Sequence, residues 1–433
     1  MSYINLYLNK NFKKKIKLPG SKSISNRILL LSSLSKGITI IKEILISEDT
    51  LVMFNILKNL GINLYFDYIN NNFIIYGCKK NFPIKKNNLF VGNAGTVIRP
   101  LISILSILGG EYILFGTKRM HNRPIKDLIV VLKKIGMNIK YLKNIGYPPL
   151  YISYGKFKIS KLNIKCDISS QFLTSLLIGL GLLSKKYKFI FIKILGKLTS
   201  KPYIYITINL MKIFGINVII NNNILKIFLN SGYNSPGIFL VEGDVSSASY
   251  FLAAGVISGS LIKVKGIGRN SIQGDMKIIN ILRMMGGIIN VKKNYIESFS
   301  KDLLYAINID CNDFPDSAMV IAIISLYTNN INILRNISNW KFKESNRLFA
   351  MKKELSKLGA KVSIGEDFIK IIPPKFIKSA IIDTYDDHRI AMCFSLVSLN
   401  TFLKYGVFIR INNPKCVCKT FPNFFLFFNK KNI

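Results

Sequence analysis

Five times along this 433-residue chain, apolar positions at helical spacing run into a glycine, followed by two further residues, an aliphatic position and an alternating stretch. The copies are "LKNLGINL" at Leu57, "LKKIGMNI" at Leu132, "MKIFGINV" at Met211, "LRMMGGII" at Leu282 and "LSKLGAKV" at Leu355. Each reads as a helix closed by a left-handed glycine just past its C-cap, then a strand. After several copies, Asn-rich or Gly-containing turn chemistry leads into a second strand, as in "INVIINNNILKIFL" and "AKVSIGEDFIKII". Gly61, Gly136, Gly215, Gly286 and Gly359 lie 75, 79, 71 and 73 residues apart. A single helix-glycine-strand junction is ordinary in α/β proteins. Five at near-constant spacing predict a repeated α/β subdomain, longer than the roughly 20 to 50 residues of solenoid units. A sixth copy is expected from the stretch after Tyr385 joined by the N-terminal strand, giving two domains of three subdomains.

Six apolar helical patterns begin just after small, hydroxylic or acidic residues: "PGSKSISNRILLLSSL", "GNAGTVIRPLISIL", "DISSQFLTSLLIGL", "GDVSSASYFLAAGV", "DFPDSAMVIAIISL" and "YDDHRIAMCFSLVSL". Such residues cap the first free amides, and the uncapped remainder favours anions. Basic residues occupy several of these first turns: Lys22 and Arg27, Arg99, and Arg389. Ser23 and Arg27, four apart, share a helix face. Gly95 lets a backbone amide approach a ligand, and Arg123 precedes a proline suited to a first helical turn. Arginine presents a planar fork to phosphate or carboxylate, lysine a point charge. Together these predict a cleft for a small ligand of several negative charges. Two carboxylates interrupt the basic pattern, Asp316 in "PDSAMV" and Glu344 in "KFKESNRL", a stretch that reads as the opening of a helix. In a cationic cleft both are suited to moving protons beside an anion.

Composition narrows the function classes. The chain is 49% hydrophobic, enough to fill the cores of two or more domains. Its formal charge is +39, from 61 Lys and Arg against 22 Asp and Glu, which in itself favours a polyanionic partner. The lysines are spread among Asn and Ile instead of clustering with aromatics, which argues against nucleic-acid binding. Cys78, Cys166, Cys311, Cys393, Cys416 and Cys418 are scattered, and His121 and His388 are the only histidines. No disulfide framework, zinc motif or histidine metal site is expected. The N-terminal "MSYINLYLNKNFKKK" places its charges after its apolar residues, unlike a secretory signal. The longest apolar runs, such as Phe172 to Ser184, fall short of the ~18 to 20 residues of a membrane span. A cytoplasmic protein is expected.

The motifs "LPGSKSISNR", "GNAGTVIRPL", "NRPI", "SSQFLTSLL", "SKPYIYIT", "EGDVSSASYFLAA", "GIGRNSIQGD", "PDSAMV", "NWKFKESNRL", "DDHRIAMCFSL" and "CKTFPNFF" resemble, in order and over essentially the whole chain, the 5-enolpyruvylshikimate-3-phosphate synthase family. The resemblance implies an α/β, two-lobed enolpyruvyl transferase fold. Each lobe would hold three βαβαββ units, an inside-out α/β barrel with helix N-termini facing a cleft. One lobe would span residues 21–240, and the other residues 1–20 with 241–433, joined by two crossover strands. The implied reaction transfers the enolpyruvyl group of phosphoenolpyruvate to the 5-hydroxyl of shikimate 3-phosphate by addition and elimination, without cofactor or metal, in a monomer.

Carried over by position, the resemblance assigns Ser23, Arg27, Ser169, Ser170, Ser200, Tyr203 and Asn339 to shikimate 3-phosphate. It assigns Gly95, Arg123, Arg347, Arg389 and Lys419 to phosphoenolpyruvate, with Lys22, Gln171 and Lys343 reaching both. Asp316 would accept the hydroxyl proton, and Glu344, with Lys22, would handle protons at carbon 3. Neighbouring cations favour ionised Glu344, so acting as an acid requires desolvation or a proton from a group such as Lys22. Three positions depart from the family pattern. Asn346 replaces a usual Asp, which is expected to loosen nearby basic groups. His121 stands where a charged pair before Arg123 is commoner, which puts the loop conformation in question. Asp386 stands where Asn or Gly is frequent, and its charge is expected to pair with Arg389 in the open state. Two rivals are weighed: a UDP-N-acetylglucosamine enolpyruvyl transferase, disfavoured because "GTKRMHNRP" lacks a loop cysteine, and a basic polyanion-binding protein.

Overall fold

The five repeat glycines sit where helices stop. Gly61, Gly136, Gly215, Gly286 and Gly359 have φ between +84° and +97°, each directly after a helix C-cap. The next amide turns back onto the helix, as in Ile62 N–H to Leu57 O at 3.0 Å and Ile216 N–H to Met211 O at 2.9 Å. A β-carbon is disfavoured at that φ, so the glycine ends the helix and aims the following strand.

The computed structural model describes residues 2–7, 15–70, 72–158, 161–183, 188–229, 231–399 and 407–428. The N-terminal charges at positions 10, 13 and 14, and the last residue of the run that ends at Ser184, lie outside the described residues. The chain forms two units, Gly20–Val241, and Met1–Pro19 with Glu242–Ile433.

In the Gly20–Val241 unit the helices are α1 (Lys22–Leu34), α2 (Glu48–Asn59), α3 (Gly95–Leu108), α4 (Lys126–Lys134), α5 (Gln171–Leu180) and α6 (Pro202–Ile213). They alternate with strands in three four-stranded sheets. In one, Lys86–Phe90 pairs in parallel with Glu111–Phe115 across α3. After α4 the antiparallel strands Asn138–Tyr141 and Leu150–Ser153 complete it. Lys161–Lys165 and Phe189–Leu195 repeat the scheme around α5. The sheet holding Ile38–Lys42 takes its leading parallel strand, Ile238–Leu240, from the far end of the unit. Strands bury alternate residues, with Ile190, Ile192 and Ile194 inside and Phe189 and Lys193 outside. α3 and α5 meet through small residues: Ser103 and Ser175 share a 2.7 Å hydrogen bond, and a β-carbon on Gly179 would stand 2.9 Å from that of Ser103.

The other unit repeats this plan with α7 (Val245–Ser258), α8 (Ile278–Met284), α9 (Ala318–Ile324), α10 (Arg347–Lys357) and α11 (His388–Ser395). Its first sheet takes its leading strand, Lys15–Lys17, from the N-terminal segment, in parallel with Ile262–Lys265. The sheet beginning at Asn308–Asp310 is complete within itself. The sixth sheet is three-stranded: Ala380–Ile382 pairs with Ile409–Asn412, which takes Tyr3–Leu6 antiparallel on its other edge. Each unit has its own apolar core. Among the described residues no helix is long and apolar enough to cross a membrane.

Candidate active site

In the Gly20–Val241 unit, α1, α3 and α5 begin without a side-chain cap. An uncapped helix start favours an anion, and each of these three carries a sequence-predicted residue. Lys22 opens α1, with Nζ 3.5 Å from Asp49 of α2. Arg27, one turn on, is buried. It donates from Nε to Thr207 Oγ1 at 2.9 Å, from Nη1 to the Ser23 carbonyl at 2.8 Å and from Nη2 to Thr174 Oγ1 at 3.4 Å. All three acceptors are neutral. Burial pushes the Arg27 pKa down to about 10.

Arg123 is also buried, with Nη1 donating to the Asn93 carbonyl at 3.0 Å and to its Oδ1 at 3.4 Å. Among the described residues neither Arg27 nor Arg123 has a carboxylate partner within salt-bridge distance. Two buried cations on neutral acceptors carry a desolvation cost that a bound anion would relieve. Gly95, first residue of α3, faces the Arg123 and Arg99 guanidiniums. Arg99 reaches across to Gln171 Oε1. Gln171 opens α5, its amide donating to Ser169 Oγ at 3.3 Å, with Ser170 at the N-cap. Ser200 is left-handed, with φ +54°, and its carbonyl accepts from Tyr203 N–H at 3.1 Å as α6 begins.

The other unit gathers the carboxylates. Asp316 precedes α9, and its backbone is pinned where Trp340 Nε1 donates to the Pro315 carbonyl at 2.8 Å. Its carboxylate takes Arg347 Nη1 at 2.8 Å, Arg389 Nη2 at 3.1 Å and Lys343 Nζ at 3.4 Å. Burial alone would raise the Asp316 pKa, but Arg389, Lys343 and Arg347 outweigh it and hold the group well below the usual carboxylate range. Burial pushes the Lys343 ammonium down, against the opposing pull of Asp316. Arg347 Nη2 donates to Glu344 Oε2 at 2.8 Å, so one guanidinium holds both proton-handling candidates side by side. Asn339 and Lys419 are buried in short 3-10 turns, Ser338–Phe342 and Pro414–Lys419.

Asp387 was not among the predicted site residues. It is fully buried, accepts from Arg347 Nε at 2.8 Å and Ser345 Oγ at 3.0 Å, and caps α11 through the Arg389 amide at 3.0 Å. The signal was the second aspartate of "DDHR", which by itself reads as an ordinary cap. Tyr250 was also missed; its buried hydroxyl accepts from Arg389 Nη1 at 3.2 Å.

Two expectations need correction. "KFKESNRL" does not open a helix: α10 begins only at Arg347, because Asn346 caps it by accepting from Phe349 N–H at 3.3 Å. An amide oxygen does this as a carboxylate would, and Arg347 remains fixed by three carboxylates, so the Asn346 exchange does not loosen it. The pairing of Asp386 with Arg389 is expected of the open state; in this structure Asp386 has another partner. Its φ of +55° turns it toward Asn413, whose Nδ2 donates to Oδ1 at 3.2 Å, and Arg389 pairs with Asp316. His121 orders its loop, its Nε2 accepting from Gly116 N–H at 3.2 Å. Burial, then Lys143, lowers the pKa of this imidazole, which keeps Nε2 free to accept.

Comparison with known proteins agrees with these motifs. The family described as EPSP synthase (3-phosphoshikimate 1-carboxyvinyltransferase) matches residues 7–427. A Herminiimonas arsenicoxydans protein named 3-phosphoshikimate 1-carboxyvinyltransferase is 47% identical over 429 residues, 99% of this chain and 97% of its own. One of the same name from Buchnera aphidicola subsp. Schizaphis graminum is 48% identical over 414 residues, 95% of this chain and 94% of its own. In fold, the chain is similar to EPSP synthase from Acinetobacter baumannii, with a TM-score of 0.80 at 22% identity over 98% of this chain and 97% of that one. It is also similar to the enolpyruvyl transferase NikO from Streptomyces tendae, with a TM-score of 0.77 at 12% identity over 98% and 96%. With a matched model over nearly its whole length and relatives near half identity, this chain belongs to the EPSP synthase (3-phosphoshikimate 1-carboxyvinyltransferase) family.

Proposed function

We propose that this chain transfers the enolpyruvyl group of phosphoenolpyruvate to the 5-hydroxyl of shikimate 3-phosphate and releases phosphate. The carrying observation is the arrangement around Arg347: Asp316 and Glu344 sit on adjacent guanidinium nitrogens, inside a cluster of cations. A base and an acid held side by side among positive charges suit proton transfer at the two ends of an anionic alkene.

Both substrates carry a phosphate and a carboxylate. In the Gly20–Val241 unit, Ser23, Arg27, Ser169, Ser170, Ser200 and Tyr203 are assigned to shikimate 3-phosphate, with Gly95 and Arg123 for phosphoenolpyruvate and Lys22 and Gln171 for both. In the other unit Asn339 is assigned to shikimate 3-phosphate, Arg347, Arg389 and Lys419 to phosphoenolpyruvate, and Lys343 to both. The 5-oxygen attacks carbon 2, its proton passes to Asp316, and carbon 3 takes a proton from Glu344. The tetrahedral adduct then returns a proton from carbon 3 to the Glu344 carboxylate and expels phosphate, which takes up the proton held by Asp316, restoring the alkene and both carboxyl groups. Asp316 is a weak base while three cations hold it. When substrate anions share those cations, its basicity returns toward the ordinary range. The chain is read as a cytoplasmic monomer, with sedimentation as the check on its mass.

The test is phosphate release by purified protein given phosphoenolpyruvate and shikimate 3-phosphate, beside UDP-N-acetylglucosamine as the alternative acceptor. Release only with the shikimate ester is expected; none with it refutes the proposal.

A further inference from the structure

One buried carboxylate has no part in this chemistry. Glu354 on α10 is fully buried. Its Oε1 accepts from the Tyr385 hydroxyl at 2.7 Å, and its Oε2 from Lys357 Nζ at 2.7 Å and Asp383 N–H at 3.1 Å. Glu354 lies seven residues after Arg347, two turns along the same helix face. Arg347 grips Asp387 through Nε at 2.8 Å and Nη2 at 3.3 Å. α10 therefore holds the segment from Asp383 to Asp387 at two points.

Between those points the backbone is strained. Tyr385 and Asp386 are consecutive left-handed residues, with φ of +53° and +55°, and neither is glycine. Non-glycine residues persist there only where the surroundings over-determine them. The surroundings do so here. Besides the Glu354 contacts, Asp387 N–H donates to the Thr384 carbonyl at 2.8 Å, and Asn412 Nδ2 to Asp383 Oδ1 at 2.9 Å. α11 starts immediately afterwards, with Arg389 as its second residue.

We propose that Glu354 and Tyr385 are positioning residues: their hydrogen bond keeps the strained Tyr385–Asp386 turn in place, which sets Asp387 and Arg389 for phosphoenolpyruvate. This rests on the function proposed above. When the bond is lost the turn relaxes, and apparent affinity falls with the fraction of molecules still competent to bind.

Three variants test it: Tyr385→Phe, Asp386→Gly and the double variant. Tyr385→Phe is expected to raise KM for phosphoenolpyruvate about tenfold, the scale of one lost hydrogen bond to a charged group. KM for shikimate 3-phosphate should stay within about twofold. Asp386→Gly alone should stay near wild type, because glycine adopts positive φ without strain. In the double variant it should return KM for phosphoenolpyruvate to within about twofold of wild type. A general loss of structure would move both KM values together and would not be rescued by glycine. An unchanged KM for phosphoenolpyruvate in Tyr385→Phe, an equal rise in both KM values, or no rescue overturns the inference. Hydrogen exchange reads the clamp without substrate: amides from Asp387 to Ala391 should exchange at least about fivefold faster in Tyr385→Phe. Unchanged exchange there also overturns it. Faster exchange alongside a wild type that releases no phosphate would uphold the clamp and refute the substrate reading instead.

Discussion

Replacing Gly95 with alanine is a small change whose effect can be worked from distances. An added β-carbon would stand 2.6 Å from Arg123 Nη2, 3.0 Å from its Cζ and 3.1 Å from Arg99 Nη1. Ordinary contact begins at 3.4 Å, so Nη2 must retreat by 0.8 Å (3.4 minus 2.6). Arg123 is buried and tethered to Asn93 at 3.0 Å, so the guanidinium must swing about that anchor and lose its aim. One charge-assisted hydrogen bond to the ligand is lost, about 1.5 to 3 kcal/mol, or roughly ten- to 150-fold in affinity. The fold should not suffer, since alanine is the better helix residue by up to about 1 kcal/mol. The assay is phosphate release with each substrate varied at saturating partner, beside a thermal melt. KM for phosphoenolpyruvate should rise by that factor, KM for shikimate 3-phosphate should stay within about twofold, and the melting temperature should hold or rise. A normally melting variant with unchanged KM for phosphoenolpyruvate would refute the cradle.

Asp316→Asn and Glu344→Gln should each lower turnover at least tenfold, about 1.4 kcal/mol of barrier, with substrate binding still detectable by calorimetry; full turnover in either removes that residue from the mechanism. Because the Asp316 pKa is lowered, its stabilisation is complete above its unfolded value of about 3.9 and is lost as pH falls through the lower folded value. The melting gap between wild type and Asp316→Asn should therefore persist from pH 7 to 5 and close only in stronger acid; closure already by pH 5 contradicts this. Asp275 has the opposite sign: burial, then Asp316, raises its pKa, against the Ser317 hydroxyl, which donates to Oδ1 at 2.5 Å. Its contribution is present below the unfolded value and lost as pH rises through the folded one. Asp275→Asn, still accepting from Ser317, should then melt above wild type at pH 8, by about 2 to 4 °C for about 1 kcal/mol, and lose that advantage toward pH 4; a lower melt at pH 8 sinks the argument.

The glycine period was legible because it is local: a positive φ at each of five positions disfavours a β-carbon and leaves a mark in the sequence itself. Helix starts were legible for the same reason, except at α4, where Pro124 lies before the N-cap Ile125 and not in the first turn, and at α10, where Asn346 moved the boundary past Glu344. Asp387 was not legible, because a cap and a buried ion-pair partner look alike when the arginine they serve stands 40 residues away. The exchange of leading strands was expected only through the family resemblance and its two crossover strands, not from the residues themselves. Lys15–Lys17 pairs in parallel with Ile262–Lys265, and alternation along a sequence says nothing of which distant strand each will join. The contact of Asp386 with Asn413 was not legible, because it depends on a left-handed backbone that the charge beside Arg389 does not reveal.

The strand at Tyr3–Leu6 is made about 400 residues before its partner, Ile409–Asn412. At about 5 to 20 residues per second, roughly 20 to 80 seconds of synthesis separate the two. Throughout that interval an apolar edge must wait uncovered while the 20–241 unit is completed around its own closing strand, Ile238–Leu240. Birth order thus makes one unit self-sufficient early and leaves the other open to mispairing until Ile409–Asn412 emerges.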